Sequence, residues 1–248
     1  MSTRVFVPEP RTDLRLYDPT TIEEPSEQES NVTDEANAGP LVSRRRNALR
    51  AIAAVAVFPA VAAFAQAGEL VPTPSQPEGP FYPKTLPPDR DGDLTQIAGR
   101  TTPASGTPLY LSGRVLNRDA RAVADARVEL WQCDAHGRYH HAGDDGLPRD
   151  DNFQGYGVVT TDAYGRYAFK TIRPVPYSGR TPHLHVRVNP IGGEPLTTQI
   201  YIAGDNAAGD FVLASTPTAA RARLTMTLSP AVGRETGALA GTFDLVIR

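Results

Sequence analysis

From residue 109 to the end, apolar residues recur at every second position in short runs, and no long stretch repeats at a helical period. Leu109–Leu116, Ala126–Trp131, Gly157–Thr161, Arg166–Lys170, His183–Val188, Thr197–Ile202, Arg223–Leu228 and Thr242–Ile247 all carry the pattern. Successive side chains of a strand point to opposite faces, so such runs place one apolar face on a core. Eight short strands with frequent turns predict an all-β protein, an antiparallel β-sandwich with long loops. The turns are supplied by 23 prolines and 21 glycines. Asp162-Ala163-Tyr164-Gly165 joins two runs and reads as a tight turn. It carries too few carboxylates for a calcium loop. Trp131, Phe153, Tyr167 and Phe169 are expected in the core, and residues 68–248 read as one domain without internal repeats.

The first quarter of the chain is written differently. Residues 1–42 hold three arginines against nine carboxylates, with few clustered apolar residues, and read as a disordered acidic extension. Residues 43–67 begin Ser43-Arg44-Arg45-Arg46 and continue as a short Ala/Val-rich run ending in Ala-x-Ala strings, the pattern of a twin-arginine-type export signal. Export to the periplasm or the outside of a bacterial cell is the expectation. The run is too short and Ala-rich for a good membrane span, although an uncleaved anchor or a core helix are the competing readings. The acidic extension ahead of a signal is anomalous, and a start codon placed too far upstream would explain it. A net charge of −3 argues against nucleic acid as a partner. The single cysteine, Cys133, rules out an internal disulfide and reads as a small buried apolar group.

All five histidines, the one tryptophan and five of the nine tyrosines fall between Ala126 and Val188. His183 and His185 flank Leu184 on a strand-like run, so their imidazoles project from one face roughly 6–7 Å apart. Two imidazoles so placed can share a metal ion. His136, His140 and His141 surround Tyr139 and read as solvated or supporting groups. Taken alone, a His-x-His strand is more often structural, Tyr139 and Tyr177 are ordinary amphipathic residues, and Arg180 is a solvated loop charge.

Taken together, the order is specific. Glu78-Gly79-Pro80-Phe81-Tyr82, Val128-Glu129-Leu130-Trp131-Gln132-Cys133-Asp134-Ala135-His136-Gly137-Arg138-Tyr139, Thr171-Ile172-Arg173-Pro174-Val175-Pro176-Tyr177, His183-Leu184-His185 and Thr198-Gln199-Ile200-Tyr201 succeed one another. In these motifs the chain resembles the intradiol ring-cleavage dioxygenases, and more closely the protocatechuate 3,4-dioxygenase-like branch, over nearly everything after Pro72. The resemblance implies a non-haem Fe(III) held by Tyr139, Tyr177, His183 and His185, with Tyr139 and His183 equatorial and Tyr177 and His185 axial. It implies that a catechol-type diol and O2 yield a cis,cis-muconate-type product. Tyr177 would act as a general base, Arg180 would stabilise negative charge on the ring, and Gln199 would be a nearby polar support. The ligand chemistry is reasonable on its own terms. A free phenol has a pKa of about 10, and a trivalent cation favours the phenolate.

Two departures from the family pattern stand out. Five residues separate Tyr177 from His183, fewer than in familiar members, so the iron should be more open. The helical dimerisation domain of the catechol 1,2-dioxygenases is missing. Because all four ligands are kept, the chain resembles the catalytic type, with homo- and hetero-oligomers both open. The rival class is a non-catalytic module. Gly113-Arg114-Val115 through Arg166-Tyr167 also resembles the transthyretin-like and carboxypeptidase-regulatory-like sandwiches, which lack the four ligands. Convergence of those four side chains is what separates the two readings.

Overall fold

The computed structural model describes residues 68–144 and 148–248. The acidic extension and the export signal expected over residues 1–67 lie outside the described residues. Among the described residues ten strands run in chain order: β1 Pro108–Leu116, β2 Arg127–Trp131, β3 Tyr156–Thr160, β4 Arg166–Ile172, β5 His183–Asn189, β6 Leu196–Ile202, β7 Thr225–Met226, β8 Leu228–Pro230, β9 Leu239–Thr242 and β10 Leu245–Val246. Two short helices, α1 Phe211–Ser215 and α2 Thr218–Arg221, lie between β6 and β7. None of the helices among the described residues is long and apolar enough to cross a membrane.

One sheet is built around β1, which pairs with β4 along one edge and with β9 and β10 along the other. Its remaining strand, β8, pairs with β9. The second sheet has the order β3-β2-β5-β6-β7. The expected sandwich is therefore present, but it is mixed rather than purely antiparallel. β1 runs parallel to β9 and β10, and β6 runs parallel to β7. The first six expected strands are all found. The last two are broken: the 223–228 run becomes the end of a 3-10 turn followed by β7 and the start of β8, and the 242–247 run straddles β9 and β10. In the second of these the Arg114 amide donates to the Asp244 carboxylate, in the gap between β9 and β10.

The tight turn at Asp162 is as expected. Its carboxylate accepts from the backbone of Tyr164 and Arg166. Gly165 sits at φ +72°, and a Cβ there would lie 2.6 Å from the carbonyl oxygen of Val115, so glycine is needed.

Alternation decides which side chains meet. Val128 and Leu130 of β2, Leu184, Val186 and Val188 of β5 and Ile200 of β6 join Leu109, Leu111 and Phe169 of the first sheet in the main core. Phe153 and Tyr167 belong to it as well. The opposite face of the second sheet carries Glu129, Trp131, His183, His185, Gln199 and Tyr201. A solvent-facing sheet surface would leave these wet, yet each is at most 2% exposed. The loops after β2 and β4 and the arm before β1 cover that face.

Candidate active site

One strand and two loops supply the four donors. His183 and His185 come from β5, Tyr139 from the loop after β2, and Tyr177 from the loop joining β4 to β5. The Tyr139 oxygen lies 3.2 Å from that of Tyr177. The Tyr177 oxygen is 3.4 Å from Nε2 of His183, which is 3.1 Å from Nε2 of His185. The four residues singled out from sequence thus meet at one point, which a binding module lacking them could not reproduce.

Each donor is held in place. The Thr181 carbonyl lies 2.7 Å from Nδ1 of His183, so that nitrogen carries the proton and Nε2 offers its lone pair to the cluster. Trp131 stacks on the His185 ring at 4.9 Å, and Phe81 stacks on Tyr139 at 4.7 Å. Gly79 passes close to His185: a Cβ there would be 3.2 Å from the imidazole, on a backbone at φ +78°. The segment before β1 therefore closes one wall of the site. Asp144 accepts from the Tyr139 amide, and Asp134 accepts from the amides of His136, Arg138 and Asp150.

Burial sets the protonation states. It depresses His183 to about 4, with the Arg180 charge as second cause, and carries His185 well below its ordinary value, helped by His183 and Arg180. Burial raises Tyr139 well above its ordinary value, with Tyr177 adding to the shift. Tyr177 is raised too, against the opposing hydrogen bond with Tyr139 and the charge of Arg180. At neutral pH the cluster is therefore two neutral imidazoles and two phenols. This donor set fits a strongly charged cation, since only such a charge would draw off the phenolic protons in so dry a place. The Nε2 atoms of the two imidazoles face each other across 3.1 Å, as suits nitrogens turned toward a shared ion.

Beside the cluster lies a second polar group. Arg180 is 9% exposed, and its Nε donates to both oxygens of Asp210 at 3.1 Å while Nη2 donates to Gln199 Oε1 at 2.6 Å. Tyr201 donates to the same Gln199 oxygen at 2.9 Å, and Gln199 Nε2 donates to the Pro77 carbonyl. Register explains the grouping: His185 pairs with Gln199 and His183 with Tyr201 across β5 and β6. Burial alone would raise the Asp210 carboxyl, but the amides of Leu213 and Thr181 and the Arg180 charge bring it below the usual range. Asp210 also caps α1, so one carboxylate ties that helix to the loop carrying Thr181 and Arg180.

Of the remaining histidines, His136 is exposed, and His140 and His141 are half-buried around the Tyr139 loop; none reaches the four donors. Cys133 is buried, and burial followed by the Asp134 charge pushes its thiol up to about 12, as suits an inert group. The sequence motifs contain Phe81, Tyr201 and Glu129 but gave none of them a role of its own, and Asp210 lies outside every motif. Glu129 accepts from Tyr82, Tyr156, Arg127 and Asn189. A polar residue in the middle of an otherwise apolar strand was the available signal for Glu129. Asp210, eight residues past the nearest strand-like run, gave none.

An open cleft of about 480 Å³ leads to the site, lined by Tyr177 and Arg180 and bounded by Arg173, Pro182, Asp205 and Ala208. Tyr139 is 2% exposed, whereas Tyr177 is half-buried and borders this cleft.

A family model described as Dioxygenase matches residues 77–248. The protocatechuate 3,4-dioxygenase beta chain of Burkholderia cepacia is 39% identical over 168 residues, which cover 64% of this chain and 72% of that one. The hydroxyquinol 1,2-dioxygenase of Rhodococcus opacus is 33% identical over 145 residues, 51% of this chain but only 45% of the relative. Among solved structures, the dioxygenase domain of a dioxygenase carbohydrate-binding protein fusion from Streptomyces sp. SirexAA-E superposes with a TM-score of 0.55 at 30% identity, over 71% of this chain and 98% of that chain. With the motifs, the sandwich and these relatives in agreement, the chain belongs to the intradiol ring-cleavage dioxygenase family.

Proposed function

We propose that the protein is a non-haem Fe(III) enzyme that cleaves a catechol-type diol between its two hydroxylated carbons, both atoms of O2 ending in a cis,cis-muconate-type product. The observation carrying this reading is the meeting of two phenol oxygens and two imidazole nitrogens within 3.4 Å steps. Tyr139, Tyr177, His183 and His185 would hold the iron, which would supply Lewis acidity toward the diol oxygens and an electron acceptor that makes the ring reactive toward O2. Tyr177 borders the cleft, so its oxygen is the one placed to take a proton from an arriving diol. Arg180 holds a fixed positive charge beside the bound ring, steadied by Asp210 and Gln199. Phe81 and Trp131 keep water from the closed side. Oxygen uptake with catechols, together with the colour of tyrosinate-to-iron charge transfer in the purified protein, tests the proposal; a colourless iron-loaded protein that consumes no oxygen refutes it.

Tyr177→Phe is expected to keep iron, shift the visible band and slow catechol turnover. Turnover at the normal rate would remove Tyr177 from the mechanism. Arg180→Ala should keep the colour and lower kcat by roughly 10²-fold, the scale of losing a charge-stabilising donor. An unchanged kcat in a variant that circular dichroism shows to be folded would refute that role. Export by the twin-arginine route belongs to the same proposal, and N-terminal sequencing of the native protein checks it: cleavage near Ala67 is expected.

A further inference from the structure

The cleft holds two guanidinium groups, and both are already committed to carboxylates. Arg180 is paired with Asp210 inside the network described above. Arg173 follows directly on β4, and its Nη2 donates to Asp205 Oδ1 at 2.5 Å. Asp205 lies just past β6, so this pair joins the two sheets at the end of the sandwich where Tyr177 and Arg180 sit. The side chain of Arg173 is 34% exposed and that of Asp205 only 17%, which leaves the carboxylate the more enclosed partner. The other residues bounding the cleft are uncharged: Pro176, Ser178, Gly179, Pro182, Asn206 and Ala208. A space of about 480 Å³ is on the scale of pockets for drug-sized ligands, far more than a bare catechol fills.

From this we infer that the cleft selects uncharged, substituted catechols, and that Asp205 sets the selection by occupying the cation that a ring carboxylate would need. The inference rests on the proposed dioxygenase function. A substituent carried into the cleft would lie near Arg173, but the guanidinium's charge is matched by Asp205, and that carboxylate repels a second one. A neutral substituent of the same shape meets no such penalty. Replacing Asp205 by asparagine removes the negative charge with little change of shape, so Arg173 becomes free to receive an anion.

The test compares 3,4-dihydroxybenzoate with its methyl ester, which differ in charge at one substituent. For the iron-loaded full chain, kcat/KM is measured with each, and equilibrium binding of each is measured by calorimetry without oxygen. Only the acid-to-ester ratio within one variant is read, so a general loss of activity cancels. The wild-type protein is expected to favour the ester by about tenfold or more, equivalent to about 1.4 kcal/mol. Asp205→Asn should move the ratio toward the acid by about tenfold, and adding Arg173→Gln should reverse that gain. A wild-type preference for the acid, a ratio unmoved by Asp205→Asn, or a gain that survives loss of Arg173 would each overturn the inference. So would failure of both diols to bind. If the diols bind with the expected ratio but neither is cleaved, the dioxygenase reading falls and the selection stands. If both are cleaved without the expected ratio, the reverse holds.

Discussion

His183→Ala is expected to leave a folded, colourless protein without iron. Its imidazole touches one donor of each kind, 3.4 Å from the Tyr177 oxygen and 3.1 Å from His185 Nε2. Removing it takes away a neutral lone pair that the Thr181 carbonyl has oriented. Loss of such an orienting partner alone typically lowers metal affinity roughly 10–100-fold, and loss of the ligand itself should cost more. The phenols will not compensate. Burial holds both above their ordinary pKa, so without a well-bound cation they stay protonated. Elemental analysis and the visible spectrum check the result, and full iron occupancy would exclude His183 from the ligand set.

Glu129→Ala is expected to destabilise the fold by about 3 kcal/mol, the low end of the range for removing one partner of a buried ion pair. The Glu129 side chain is 1% exposed, and its two oxygens accept from Tyr82 at 2.7 Å, Tyr156 at 3.0 Å, Arg127 at 2.7 Å and Asn189 at 2.9 Å. Its removal strands the buried Tyr156 hydroxyl, at a cost of about 1–3 kcal/mol if no water enters, and takes a partner from the half-buried Tyr82 and Asn189. Arg127 is half exposed and can turn to solvent, which keeps the total down. For a folded region of this size the loss should lower Tm by roughly 6–12 °C. The effect should also reach the metal cluster. Tyr82 packs edge-on against Trp131 at 5.1 Å, and Trp131 stacks on His185. A shift of the visible band is therefore expected alongside the lower Tm. A thermal melt within about 2 °C of the wild-type protein would show that water replaces the carboxylate without cost.

The two variants probe opposite sides of one layer. Glu129 holds it on β2 beside Tyr156, and His183 stands on β5 beside Tyr177, which borders the cleft. Between them the layer is aromatic and dry, and that dryness is what makes the imidazoles neutral and the phenols reluctant to ionise. The same condition gives Arg180 its weight. A guanidinium in water would be screened, whereas this one is enclosed by Asp210, Gln199 and Tyr201 and is felt by all four proposed ligands.

Much of this was legible in the chain. Alternation located six strands and placed His183 and His185 on one face, because a strand permits no other arrangement for residues two apart. The Asp162 to Gly165 turn and the buried Cys133 followed from local chemistry. Motif order marked Tyr139 and Tyr177 as the donors to join the imidazoles, and Arg180 and Gln199 as their neighbours. The mixed pairing of the sheets was not legible, since parallel β9 and β10 reach β1 from more than a hundred residues away. Nor was the Arg173–Asp205 pair, whose members sit in two loops that only the packing of the sheets brings together.

What the sequence determined by itself is the grouping within a strand: His183 and His185 had to share a face opposite Leu184 and Val186. What only the tertiary structure decided is that this face, the outer one of its sheet, is dry. Its cover comes from distant chain, as in the Arg187–Glu78 ion pair and the bond from Gln199 to the Pro77 carbonyl. A period of two records which residues stand together, but it holds no information on which loop will fold across them.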